Sequence, residues 1–186
     1  MRIAWIGPMP GNGGGANGAG CQFLLELSRQ GVEIDCYFPL GEARLPKVLE
    51  EQPNLHFYLQ PNNWRWNRWY SRNHLMAFVT GQLANLYCEM KLAKKLAENH
   101  QRKPYDFVYQ FSHIEMHALK KHKDKLPPIL LHPSVHAAGE LQWHRREAHL
   151  SRESEPWLKR MLVRLLLLVR AKVQQRHIQL ADHVLS

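Results

Sequence analysis

The sequence predicts an α/β fold in which a mostly parallel sheet carries helices on both faces. Short apolar runs alternate with amphipathic helical stretches along the whole chain. The first apolar run opens directly into a glycine-rich segment that leads to a helix. No repeat and no low-complexity linker interrupts the alternation. Strands separated by helices pair in parallel through crossovers, and such a sheet needs cover on both sides.

Each element has its own signal. Residues 1–6 form a short apolar strand. Residues 7–18 hold six glycines and two prolines, so they are expected to be a loop. Residues 19–30 predict a helix with Gly20, Phe23, Leu24 and Leu27 on one face and Gly31 as its stop. Strands two and three are expected at 32–38 and 55–59. A polar-aromatic loop then leads to a long helix from about 72 to 100. The fourth strand falls at 106–110, with a helix after His113. Pro127 and Pro128 start a fifth strand at 129–132. Helices follow from about 138 and about 157, and 183–186 reads as a sixth strand. Ligands of parallel sheets sit at the carboxyl ends of the strands, which selects the loops 7–18, 111–115 and 132–140.

The composition narrows the function classes. The chain has 186 residues, 45% of them hydrophobic, enough for one domain with a buried core and too many for a disordered chain. No apolar run approaches about 18 residues, so no transmembrane helix is expected. The opening residues also lack the apolar region and cleavage site of a secretory signal. Cys21, Cys36 and Cys88 follow no metal-binding spacing and read as reduced thiols of a cytoplasmic protein. A net charge of +9 and twelve histidines favour anionic partners: phosphorylated substrates, an anionic membrane surface or nucleic acid. The same charge also serves plain solubility.

Gly13-Gly14-Gly15-Ala16-Asn17-Gly18 matches the dinucleotide fingerprint formally. Pro8 and Pro10 separate it from the strand, and Asp35 lies inside the second strand instead of at its end. A nicotinamide cofactor is disfavoured on that ground. A Walker loop is excluded, because no Gly-Lys-Ser/Thr occurs. Bare backbone amides ahead of a helix suit a closely approaching phosphate, with an unliganded surface loop as the alternative. Residues 64–72 interleave three tryptophans and a tyrosine with three arginines. Such a stretch suits sugar stacking, phosphate contact or a lipid interface, or packs beneath the next helix. No nucleic-acid module frames it. In the leucine-rich stretch 157–180 six cations scatter around the helix. That predicts a partly buried helix with snorkelling side chains.

Several of these stretches together resemble glycosyltransferase family 4. The likeness lies in the opening Met1-Arg2-Ile3-Ala4-Trp5-Ile6, the triple glycine, and the helix and strand that follow. Tyr105-Asp106-Phe107-Val108-Tyr109-Gln110 is similar to the family's fourth strand, and Pro127-Pro128-Ile129-Leu130-Leu131-His132 to its fifth. Ala181-Asp182-His183-Val184-Leu185-Ser186 is similar to the end of its N-terminal domain. The resemblance covers the whole chain.

It implies a GT-B enzyme, with two Rossmann-like domains across a cleft, of which this chain is the N-terminal, acceptor-side one: a three-layer α/β/α sandwich. It implies retaining transfer from a nucleotide-diphosphate sugar to a glycan, lipid or small-molecule acceptor, without metal or cofactor. Gly13, Gly14, Gly15 and Ala16 would meet the donor diphosphate. His113, Glu115, Trp64, Arg65, Trp66 and Arg68 would serve the acceptor. The family's Glu-x7-Glu belongs to the other domain; the Glu42 and Glu50 spacing here falls between strands two and three and reads as chance. The donor half is thus expected outside this chain, and the isolated chain is expected to be inactive.

The family also places a histidine after the fifth strand. Relative to Pro128 its slot holds Ser134, flanked by His132 and His136. Both are catalytic candidates, and His136 is preferred because it lies in the loop. No metal site is expected from these two or from His113 with His117, for want of a third ligand. The expected partners are a nucleotide sugar, a sugar or lipid-linked acceptor, and the inner face of an anionic membrane. The alternative reading is a basic α/β module that docks on membrane or nucleic acid without catalysis.

Overall fold

The computed structural model describes residues 1–11, 13–41, 44–150 and 155–185. Glu42, one member of the Glu-x7-Glu spacing, lies outside the described residues. Six strands form one sheet: β1 (Arg2–Ile6), β2 (Glu33–Leu40), β3 (Leu55–Pro61), β4 (Phe107–Ser112), β5 (Ile129–Pro133) and β6 (His183–Val184). Their order is β3-β2-β1-β4-β5-β6, and every pairing is parallel. This is the Rossmann-like α/β arrangement that the sequence predicts, with β1 at its middle. The helices are α1 (Gly15–Arg29), α2 (Lys47–Glu50), α3 (His74–Arg102), α4 (His117–Lys120), α5 (Ala137–Arg146) and α6 (Trp157–Ile178).

The strand period of two builds two cores. Ile3, Trp5, Ile34, Cys36, Phe38, Tyr109 and Phe111 point to one face, where Cys21, Leu24 and Leu25 of α1 cover them. Ala4, Tyr37, Val108, Ile129 and Leu131 point to the other, under Leu92, Ala93 and Leu96 of α3 and Ala118 and Leu119 of α4.

Three elements differ from the sequence expectation. Helix α1 begins at Gly15 instead of 19, so Gly15 and Ala16 belong to its first turn and not to the loop. Glycine's poor helix propensity hides this start. Its small size explains it: a Cβ at Gly18 would lie 2.0 Å from the Gly13 carbonyl, and one at Gly20 3.2 Å from Phe111. The segment after His113 is only the short α4 and a 3-10 turn at Lys123–Lys125. Helix α6 is far more exposed than predicted: Trp157, Leu158, Met161, Leu162, Leu165, Leu166 and Val169 are all exposed. Its packing partner is α5, and its buried residues are Gln174 and His177, near its C-terminal end. No helix among the described residues is long and apolar enough to cross a membrane.

At the amino edge of the sheet a polar knot holds the layers together. Asp35 on β2 is fully buried. Its carboxylate takes the Arg2 guanidinium at 2.5 Å and the Tyr105 hydroxyl. Tyr105 meets the Tyr37 hydroxyl at 2.7 Å, and Asn99 of α3 donates to Tyr37 at 2.8 Å. A buried charge is tolerable only when paired in this way. We expect Arg2→Met, which strands Asp35, to cost about 3–5 kcal/mol of stability in denaturant titrations. Adding Asp35→Leu should recover most of that loss.

Candidate functional site

Sheet order brings β1 and β4 side by side, and the chain leaves them toward opposite faces. After β1 it runs to α1 on one face; after β4 it runs to α4 on the other. Crevices in α/β sheets open at such a switch point. Here a cavity of about 340 Å³ opens there, between the segment that follows β1, the end of β4 and the underside of α3. Leu92, Met116 and Leu119 give it apolar walls, while Asn62, Asn85, Glu89, Gln110, His113 and Glu115 supply polar groups.

The two carboxylates in this cavity have different surroundings. Glu115 accepts from Arg170 Nε at 2.6 Å and from Gln174 Nε2 at 2.9 Å. Burial pushes its carboxyl up, but these donors and the backbone hold it below the ordinary carboxylate range. Gln174, itself fully buried, also accepts from the Ala137 N–H at 2.7 Å, which ties Glu115 to the start of α5. Glu89 has no hydrogen-bond or ion-pair partner among the described residues. Burial, and then the Glu115 charge, push its carboxyl up to about 7. Burial and the Arg170 charge push His113 down, against the pull of the Glu115 charge.

Ser112 ends β4 with φ of 70°, a left-handed conformation at a residue other than glycine. The His113 N–H donates to the Phe111 carbonyl at 2.9 Å, closing a tight γ-turn centred on Ser112. The Ser112 hydroxyl also meets Ser134 Oγ at 2.5 Å. This strained corner sends His113 and Glu115 to the cavity rather than onward with the sheet.

The remaining residues singled out from the sequence scatter around this edge. Gly13, Gly14 and Gly15 line a separate open cavity of about 400 Å³ at the start of α1, where a Cβ at Gly13 or Gly14 would meet nothing. Ala16 instead packs against the core. His132 sits 2.6 Å from the Tyr109 hydroxyl, with Phe23 of α1 against its ring. His136 caps α5, its Nδ1 accepting from the Ala138 N–H at 3.0 Å. His136 lines a cavity between α5 and α6 that includes no residue of the glycine loop.

Trp64 packs on α3, its Nε1 donating to Thr80 at 2.9 Å and its ring 4.6 Å from that of Trp66. Arg65 is turned back onto the Asn62 carbonyl at 3.0 Å, and Trp66 and Arg68 are exposed. Trp64 and Trp66 line a neighbouring cavity of about 310 Å³ that shares Asn62 and Asn85 with the first. The hydrogen bond from Asn62 to Asn85, at 2.9 Å, lies at this shared boundary.

Glu89, Asn85, Asn62 and Gln110 were not singled out from the sequence. A signal existed for two of them: Asn85 and Glu89 share a helical stripe with Cys88, Leu92, Ala93 and Leu96, which are buried. An acid on an apolar stripe is the mark of such a site. The described residues also hold one grouping of metal-ligand type, Glu33, Asp35 and His56. It lies at the amino edge, where Arg2 and Lys103 already engage the two carboxylates.

No protein-family model matches the chain, and no curated protein matches it. Among solved structures it is similar to Anabaena Alr3699/HepE, crystallised in complex with UDP and glucose, at 15% identity and a TM-score of 0.42. The match covers 93% of this chain but only 43% of that one, so the chain spans less than half of its length. A likeness this slight decides nothing about function.

The raised Glu89 carboxyl has a consequence for stability. A carboxyl whose folded pKa lies above its unfolded value favours the folded state while protonated. That advantage is lost as pH climbs from about 4.5 through about 7. Glu89→Gln should therefore melt higher than the parent at about pH 8, by on the order of 2 kcal/mol, and match it near about pH 4. Melting curves across that range check the sign.

Proposed function

We propose that this chain is the acceptor-binding half of a retaining GT-B glycosyltransferase. It would take part in moving a sugar from a nucleotide-diphosphate donor to a glycan, lipid or small-molecule acceptor. A second domain outside these residues would hold most of the donor. One observation carries the reading: two cavities of different character flank β1 at the carboxyl edge of the sheet. One is a cradle of bare glycine backbone. The other is an amphipathic pocket of ligand size. The segment that leaves β1 lines the first cavity and the start of α1 lines the second, so both would open toward the same reacting edge.

In this reading the amides at Gly13–Gly15 meet the diphosphate, where negative charge grows as the sugar departs. Pre-aimed donors lower the barrier there without reorganising. The acceptor ring lies against Leu92 and Met116, with hydroxyls on the amides of Asn62, Asn85 and Gln110. Trp64 and Trp66 extend the same surface for a longer acceptor. His136 acts from the loop after β5, and His132 stays within the fold. No resident metal or cofactor is required.

A second reading adds to the first. The exposed leucines of α6, interleaved with the exposed Lys159, Lys172 and Arg176, form an apolar and cationic surface suited to peripheral contact with an anionic membrane. Vesicle sedimentation with and without anionic lipid tests it.

Steady-state transfer by the full-length enzyme tests the primary reading. Gly14→Trp fits the fold, since nothing crowds that position, and should cost about 100-fold or more in turnover by blocking the diphosphate. His136→Asn keeps a helix cap but removes the imidazole. It should lose about 100-fold if the ring serves catalysis. Near-normal turnover in both variants would reject the reading.

A further inference from the structure

We propose that the pocket beneath α3 takes a small polar ring bearing a protonated amine, an amino sugar or aminocyclitol, whose ammonium sits between Glu89 and Gln110. This rests on the reading of that pocket as the acceptor site.

The charge of the lining is the first reason. The chain carries a net charge of +9, yet this cavity is lined by two carboxylates and by no lysine or arginine. Glu115 is already served by Arg170 and Gln174. Glu89, one turn along α3 from Asn85, is not served by any described residue. Glu89 is half-buried at the cavity wall, and a ligand cation would supply the partner that its carboxylate lacks.

The count of donors and acceptors is the second reason, and it is independent of charge. Gln110 is only 3% exposed. It donates its amide N–H to the His113 carbonyl at 3.0 Å, and no described residue donates to its side-chain oxygen. Gln110 is anchored on β4 and Glu89 hangs from α3, so their open acceptors belong to opposite walls of one cavity. The ligand must therefore bring donors. An ammonium brings three, together with the matching charge, whereas a hydroxyl brings one.

Size sets the rest. A volume of about 340 Å³ lies at the lower end of ligand pockets. It suits one ring rather than a chain. Leu92, Met116 and Leu119 face the ring, and the amides of Asn62 and Asn85 suit its hydroxyls.

Amide NMR titration of the chain at about pH 7 with glucosamine, N-acetylglucosamine and glucose tests this. Glucosamine should bind about tenfold tighter than the other two, with shifts at Asn85, Glu89 and Gln110. Glu89→Gln, close in shape to the parent, should remove that preference, so that glucosamine and glucose bind alike. Equal binding of all three in the pocket overturns the amine assignment and leaves the acceptor reading standing. A preference that survives Glu89→Gln also overturns it. Absence of shifts in the pocket with every sugar overturns both.

Discussion

The carboxylate of Asp35, sealed inside the sheet, sets the geometry on which the site depends. It cannot stay buried without Arg2 and Tyr105, and those two residues stand at the start of β1 and just before β4. Satisfying one charge therefore clamps the amino ends of β2, β1 and β4 in register. The same network reaches α3 through Asn99 and Tyr37. With α3 anchored near its C-terminal end, its earlier turns extend over the carboxyl edge and bring Asn85 and Glu89 above the pocket. The polar knot at one edge thus positions the polar groups at the other.

Two acids in one small domain, Asp35 fully buried and Glu89 half-buried, meet opposite fates. Asp35 has a guanidinium and a hydroxyl and serves the fold. Glu89 has neither, and burial leaves its carboxyl poised near neutrality at about 7. Unsatisfied polar groups concentrate where a protein must receive something. The left-handed corner at Ser112 follows the same logic, since backbone strain is kept where it aims side chains at a site.

Most of the fold was legible in the sequence, because strand and helix periods differ and the glycine and proline stops are strong. The start of α1 was not, since Gly15 and Gly18 argue locally against a helix that tertiary packing requires. The exposure of α6 was not either: a leucine run reads as buried unless one knows that its neighbour is α5 and not the sheet. Within the site, the glycine cradle was read from its bare backbone ahead of a helix, and His113 and Glu115 from loop position together with the family resemblance. Glu89 stayed hidden because the sequence reading marked out loops at the sheet edge and passed over the faces of the long helix. Only the apolar stripe it shares with Leu92 and Leu96 betrays it.

Under the proposed function, the carboxyl edge around β1 and β4 is where the sugar would be transferred. Hydrogen exchange on the protein, with a nucleotide-diphosphate sugar and a sugar acceptor present together, tests it most directly. Slowed exchange should appear in residues 7–18, 85–93 and 110–115, with 33–35 and 103–106 at the amino edge unchanged. Protection confined to the amino edge or to α6, or none at all, would contradict it.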